Sequence, residues 1–146
     1  MPSSNANSKL SAPIRACTVT RDVQNFDLLI EDMELELGES WGDLTFHSAL
    51  KYLDQTDARS LDFIAIAIDD EDEPNMAMIE AVIQRASSLS VRVLLIAEEL
   101  SPIILHRLLR LGASDFVPYP LPEGALHDAI QRLHQPSIEA MAGATK

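Results

Sequence analysis

The chain is poor in cysteine, glycine, aromatic rings and positive charge, and each shortage excludes something. One cysteine among 146 residues rules out an internal disulfide. Cys17 stands in an apolar run, where a thiol reads as a buried, inert group. The five glycines never form a phosphate-cradling loop, and no Walker A pattern, regular or deviant, occurs. No apolar run approaches the roughly 18–20 residues that span a bilayer. The first residues also lack an apolar signal core, so a cytoplasmic setting is expected. Eleven Lys and Arg face 23 Asp and Glu, a formal charge of -12. That charge repels nucleic acid and anionic membrane surfaces but leaves a basic protein partner open.

Chemical motifs are equally sparse. There is no Ser-His-Asp order and no Cys-His set. His47, His106, His127 and His134 share no motif. His127 and His134, seven apart, fall near one face of a helix and read as solvated side chains. Together these absences point away from an enzyme, a bound cofactor or a structural metal.

What remains is an alternation of elements. Residues 1–13, rich in Ser, Asn and Pro, read as a disordered lead. A strand is expected over Ile14–Thr20, with Asp22 capping the segment that follows. Phe26, Leu29, Ile30, Met33 and Leu37 then recur at helical spacing up to Gly38. A short strand over Trp41–Leu44 precedes a helical stripe of Phe46, Ala49, Leu50 and Leu53. Phe63–Ile68 is apolar at every position, the pattern of a parallel strand covered on both faces. Pro74 suits a first helical position ahead of Ile79, Val82, Ile83 and Ala86, and Met76 and Met78 read as core.

A fourth strand is expected over Val91–Ala97. Ser101-Pro102 then opens a helix carrying Leu105, Leu108 and Leu109, which closes at Gly112. "DFVPY" reads as the last strand. Pro122 is expected to open a final helix with Leu126, Ala129, Ile130 and Leu133. Residues 135–146 read as a linker.

Five strand-helix alternations with short connections imply right-handed crossovers and a doubly wound parallel sheet, an α/β fold of three layers. Such sheets place their sites beyond the carboxyl ends of the strands. The residues just after each strand are therefore the functional candidates.

The stretch Gly112-Ala113-Ser114-Asp115-Phe116-Val117-Pro118-Tyr119-Pro120-Leu121 resembles the last-strand signature of bacterial response-regulator receivers. These are CheY-like domains of flavodoxin-like topology. The likeness covers about residues 14–133 and implies the strand order 2-1-3-4-5. It also implies a cis peptide bond before Pro120, which an X-Pro bond tolerates. A working receiver needs a phosphoacceptor Asp, an acidic pair for Mg²⁺, a hydroxyl and a Lys, because carboxylate attack on a phosphoryl group gathers negative charge.

Aligned strand by strand, the resemblance assigns those places to other residues. Thr20 and Arg21 take the acidic pair, Ala67 the acceptor, Ile96 the hydroxyl and Tyr119 the lysine. The aromatic-switch place is kept by Phe116. The implied domain is a pseudo-receiver: fold retained, phosphorelay chemistry lost.

A closer resemblance runs through "ACTVTRDVQNFDLLIEDME" and "GASDFVPYPLPEGALHDAIQRL". These are similar to the N-terminal domain of CpaE/TadZ pilus-assembly proteins. There, a degenerate receiver precedes a MinD/ParA-like deviant Walker ATPase, and the family helps place the Tad/Flp secretion machinery at the cell pole. The resemblance implies such an ATPase beyond Lys146. It also implies a protein-docking and homodimerising face on the last two helices and last strand. In this sequence that face comprises Ile103, Arg107, Arg110, Tyr119, His127 and Arg132.

The acidic run Asp69–Glu73 admits two readings. The plain one is a solvated loop, since the run lacks the spacing of an EF-hand. The other slides the alignment by two residues and makes Asp69, or its neighbour Asp70, the phosphoacceptor of an atypical receiver. That places it about 6–7 Å further along the strand. A third reading gives the altered pocket to a small ligand. Arg21 is expected to pair with Asp69 or Asp70, an internal cation in place of Mg²⁺.

Overall fold

A computed structural model describes residues 14–134. The expected lead, 1–13, and linker, 135–146, lie outside the described residues. Five strands, β1 (Ala16–Val19), β2 (Trp41–Leu44), β3 (Phe63–Ile68), β4 (Arg92–Ala97) and β5 (Asp115–Pro118), form one sheet. Its order is β2-β1-β3-β4-β5, and every neighbouring pair runs parallel. The helices are α1 (Asp27–Leu37), α2 (Phe46–Leu53), α3 (Met76–Ser88), α4 (Pro102–Leu111) and α5 (Ala125–Leu133).

The alternation of side chains along each strand divides the core in two. Cys17, Val19, Ile64, Ile66, Ile68, Val93 and Leu95 pack under α2, α3 and α4. Ala16, Phe63, Ala65, Ala67, Leu94, Ile96 and Val117 pack under α1 and α5. All six residues of β3 are buried, which accounts for its unbroken apolar sequence. Each large apolar side chain so buried contributes roughly 1.5–3 kcal/mol.

Several boundaries differ from those read in the sequence. β1 is shorter at both ends, although Arg15 and Thr20 still donate backbone hydrogen bonds to Ser40 and Leu44 across the β2 edge. Asp22 caps a 3₁₀ turn, Val23–Asn25, and α1 begins only behind Phe26. Pro74 lies inside the third 3₁₀ segment among the described residues, Asp70–Asn75, so α3 starts at Met76. A reciprocal cap between Asp69 and Asp72 starts that turn early and displaces the α-helix.

Pro122 likewise precedes its helix without entering it. Gly124 adopts φ 76, a left-handed conformation that breaks the run before Ala125. Gly112 closes α4 at φ 140, and a Cβ there would meet Ser87 at 3.0 Å. Leu50, Leu105 and Leu109 are only partly buried, leaving Leu108 as the one fully buried residue of α4. Met78, read as core, is 38% exposed.

Candidate functional site

The carboxyl end of the sheet gathers the ends of β1, β3, β4 and β5. Ala67 and Ile96 are register partners on β3 and β4, and both are 0% exposed. Parallel pairing therefore sets an alanine methyl and an isoleucine side by side, at the two positions where the resemblance led one to expect an acceptor and a hydroxyl. Two aromatic rings belong to the same face. Phe26, ahead of α1, meets Tyr119 edge to face with centroids 5.0 Å apart and planes at 81°. Tyr119 follows β5, where its backbone N–H still donates to Ala97. The Tyr119–Pro120 bond is cis.

The Tyr119 ring points inward. Its hydroxyl accepts a 3.1 Å hydrogen bond from the backbone N–H of Leu28. Burial, together with Asp27, Glu98 and Asp32, pushes the phenol up, while the Leu28 N–H pulls it back. Tyr119 thus ties β5 to the start of α1. Phe116 projects to the opposite side of the sheet and packs partly buried against the core under α2–α4.

Arg21, just past β1, reaches across to the segment after β3. Its guanidinium donates to Asp72 at 2.8 Å and to both carboxylate oxygens of Asp69 at 3.3 and 3.4 Å. Asp72 also accepts from the Asp69 N–H at 2.9 Å, and Asp69 accepts from the Glu71 N–H at 2.9 Å. Asp69 therefore pairs with Arg21, whereas Asp70 is exposed and stands outside the cluster. Asp72, whose side chain is 2% exposed, takes the second place instead. Burial pushes the Asp72 carboxyl up, offset in part by the Asp69 N–H and by Arg21. The hydrogen bond to Asp69 holds Arg21 firmly protonated.

Asp72 and Phe26 are the residues that sequence reasoning missed here. The Asp69-x-x-Asp72 spacing of a reciprocal cap was the available signal for the first. Phe26 was visible only as part of a helical stripe.

A receiver's Mg²⁺ does not fit this donor set. Just past β1 stand a neutral Thr20 and a cationic Arg21, and the carboxylates of Asp69 and Asp72 are already engaged by the guanidinium. A divalent ion would meet a fixed positive charge at contact distance. Both oxygens of Asp69, the alternative phosphoacceptor, are likewise taken. A groove of about 410 Å³, lined by Leu53, Asp54, Gln55, Thr56, Arg59, Arg85 and Leu89, lies at the opposite, amino end of the sheet. It has no part in this site.

The six interface candidates do not form one face. Ile103 is 82% exposed on α4. Arg110 is exposed, Arg107 pairs with Glu80 of α3, and Arg132 pairs with Asp115 of β5. His127 turns the other way, its Nδ1 2.8 Å from Glu36 of α1. Tyr119 points into the Phe26 contact. Helix packing thus removes His127 and Tyr119 from the expected surface. His134 is not simply solvated either, since its Nε2 lies 2.5 Å from Asp62. Cys17 is buried, and burial pushes its thiol up to about 11.

The sheet order and the five flanking helices are those of a CheY-like fold. Solved structures of that class share the fold. A CheY-like TadZ protein of Pseudomonas aeruginosa matches at a TM-score of 0.65 and 18% identity, over 82% of this chain and 98% of that one. The pilus assembly protein CpaE of Caulobacter crescentus matches at 0.59 and 12% identity, over 85% and 96%. A response regulator receiver protein of Pseudomonas putida matches at 0.60 and 14%, over 84% and 99%. No protein-family model matches the chain. No curated protein matches it in sequence. At these identities the likeness is one of fold. Among the described residues, no helix is long and apolar enough to cross a membrane.

Proposed function

We propose that this domain is a pseudo-receiver: a receiver fold that works as a protein-docking module without phosphorylation. The observation that carries the reading is the bridge from Arg21 to Asp69 and Asp72. It supplies permanently the positive charge that a receiver borrows from Mg²⁺. It also ties the segment after β3 to β1 in one arrangement. A switch needs groups that respond to a phosphoryl group, and Ala67 offers no carboxylate, Ile96 no hydroxyl and Tyr119 no cation.

The likeness in fold to CpaE and TadZ proteins supports a finer reading. The domain would dock partners and dimerise for an attached ATPase of the MinD/ParA type, and so help to place a pilus-assembly machine, including at a cell pole. Its docking face is α4, where Ile103 stands 82% exposed beside Arg107 and Arg110. Arg110, exposed, and Arg107, whose guanidinium also holds Glu80, suit an acidic patch on a partner or second copy.

The test is incubation with acetyl phosphate and Mg²⁺, followed by intact-mass analysis. No phosphoryl adduct is expected. An acid-stable, hydroxylamine-labile adduct on Asp69 or Asp70 would overturn the reading. Sedimentation of Ile103→Glu tests the docking face separately: the variant should be monomeric where the parent associates.

A further inference from the structure

We propose that the groove at the amino end of the sheet binds a small organic carboxylate. Arg59 and Arg85 would take the charged end, and Leu53 and Leu89 the hydrocarbon end. The six residues of β3, at about 3.3 Å each, separate this groove from Arg21 and Tyr119. It involves no residue of α4, so it depends on neither the altered phosphorylation site nor the docking face.

The groove follows from how the chain turns. α2 ends at Leu53, and the chain reaches β3 through a 3₁₀ turn, Thr56–Ser60. Ala58, 0% exposed, seats that turn in the core. The Leu61 N–H closes it on the Ala58 carbonyl at 3.1 Å. Residues three apart eclipse in a 3₁₀ turn, so Thr56 and Arg59 emerge on one side, both exposed. Arg85 and Leu89, at the end of α3, supply the facing wall. The volume of about 410 Å³ falls within the roughly 300–1,000 Å³ of small-molecule sites.

The two guanidiniums are differently placed. Arg15, Arg21, Arg85, Arg107 and Arg132 each hold a carboxylate. Arg59 makes no ion pair among the described residues, in a chain with 23 acids. Arg92 and Arg110 are exposed as well, but neither borders this groove. Arg85 pairs with Asp54 through Nη1. A guanidinium has five N–H donors, so that pair holds Arg85 in place and leaves donors for a ligand.

The surroundings select the class of anion. Asp54 and Leu89 are the C-caps of α2 and α3, so two negative dipole ends border the groove. Asp54 adds a full negative charge. These oppose a phosphate dianion about twice as strongly as a monoanion. A carboxylate carries the smaller charge, and its two oxygens match the planar fork of arginine. Gln55 and Thr56 add uncharged donors beside Arg59. Leu53 and Leu89 are the apolar part of the lining, which suits a short hydrocarbon tail.

The probes are hexanoate, hexanamide and inorganic phosphate, titrated into the full chain at about 0.1 M salt and followed by amide NMR. Hexanoate should shift the amides of Gln55, Thr56, Arg59 and Leu89 saturably, with half-saturation at about 1 mM or below. Hexanamide and phosphate should each bind about tenfold more weakly or less. Arg59→Gln should weaken hexanoate about tenfold and leave the urea midpoint unchanged, since Arg59 is exposed. Arg85→Lys keeps the charge but loses the fork, and should weaken it too. Arg110→Gln should bind as the parent does.

Half-saturation by hexanoate above about 10 mM would overturn the proposal. Equal binding of hexanamide would reduce the groove to an apolar cleft, and tighter binding of phosphate would assign it to another class of anion; either overturns it. So would an Arg59→Gln variant that binds hexanoate as the parent does.

Discussion

Replacing Arg21 with Met isolates the bridge on which the functional reading rests. The substitution keeps most of the aliphatic stem and deletes the charge. Two charges 2.8 Å apart attract by about 6 kcal/mol at an effective dielectric constant near 20. The net loss is smaller, because the Arg21 side chain is 33% exposed and screened by solvent. Asp72 also keeps its bond from the Asp69 N–H.

Removing one partner of a fully buried pair costs roughly 3–5 kcal/mol, and exposed pairs contribute about 0–1. Arg21→Met should therefore lose about 2 kcal/mol at pH 7. For a domain of this size that lowers Tm by about 4–8 °C. Urea unfolding of both proteins across pH gives a second signature. Burial already raises the folded-state pKa of Asp72 above its usual 3.8, and loss of Arg21 raises it further. A carboxyl whose folded pKa lies above its unfolded value stabilises the fold while protonated and loses that contribution as pH rises through the folded pKa. The deficit of the variant should thus be largest at neutral pH and shrink as pH falls towards 3.8. A loss below about 0.5 kcal/mol at pH 7, or one independent of pH, would refute the argument.

Three further outcomes follow from the same geometry. Tyr119→Phe removes only the acceptor for the Leu28 N–H and should lose about 0.5–1.5 kcal/mol. Tyr119→Ala also removes the ring against Phe26 and should lose about 3 kcal/mol or more; urea midpoints distinguish the two. Cys17, buried with its thiol pushed up to about 11, should resist an aromatic disulfide reagent at pH 8 in the native state and react promptly in urea. His127 has its folded-state pKa raised above 6.5, chiefly by the hydrogen bond to Glu36. Its contribution is therefore full below 6.5 and lost as pH rises through the folded value. An imidazole NMR titration should show the raised midpoint, and Glu36→Gln should return it towards 6.5.

The layers of this fold were legible because burial leaves a periodic trace. β3 is buried at all six positions and reads as unbroken aliphatic sequence, whereas α3 buries Ile79, Val82, Ile83 and Ala86 at helical spacing. Helix starts were harder to read. A proline marks where a helix is permitted, not where it begins. At Pro74 the Asp69–Asp72 cap formed a 3₁₀ turn first, and after Pro122 a left-handed Gly124 intervened.

The candidate site was half legible. Parallel register follows from strand alignment, so Ala67 beside Ile96 could be read from the order of strands. Partner choice depends on side-chain direction in three dimensions. Asp72 rather than Asp70 faces Arg21 because the 3₁₀ turn carries residue 72 inward, where it is buried, and leaves residue 70 in solvent. His127 left the expected docking face for the same kind of reason: the orientation of α5 against α1 puts it beside Glu36.

The central claim is that the receiver fold has lost its response to phosphoryl chemistry. Titration with Mg²⁺ and beryllofluoride, followed by amide NMR shifts, tests it most directly. The account requires amide shifts at Thr20, Arg21, Ala67, Asp69, Ile96 and Tyr119 to stay unchanged through the titration. A saturable change centred on the end of β3 and reaching Phe116 would contradict it.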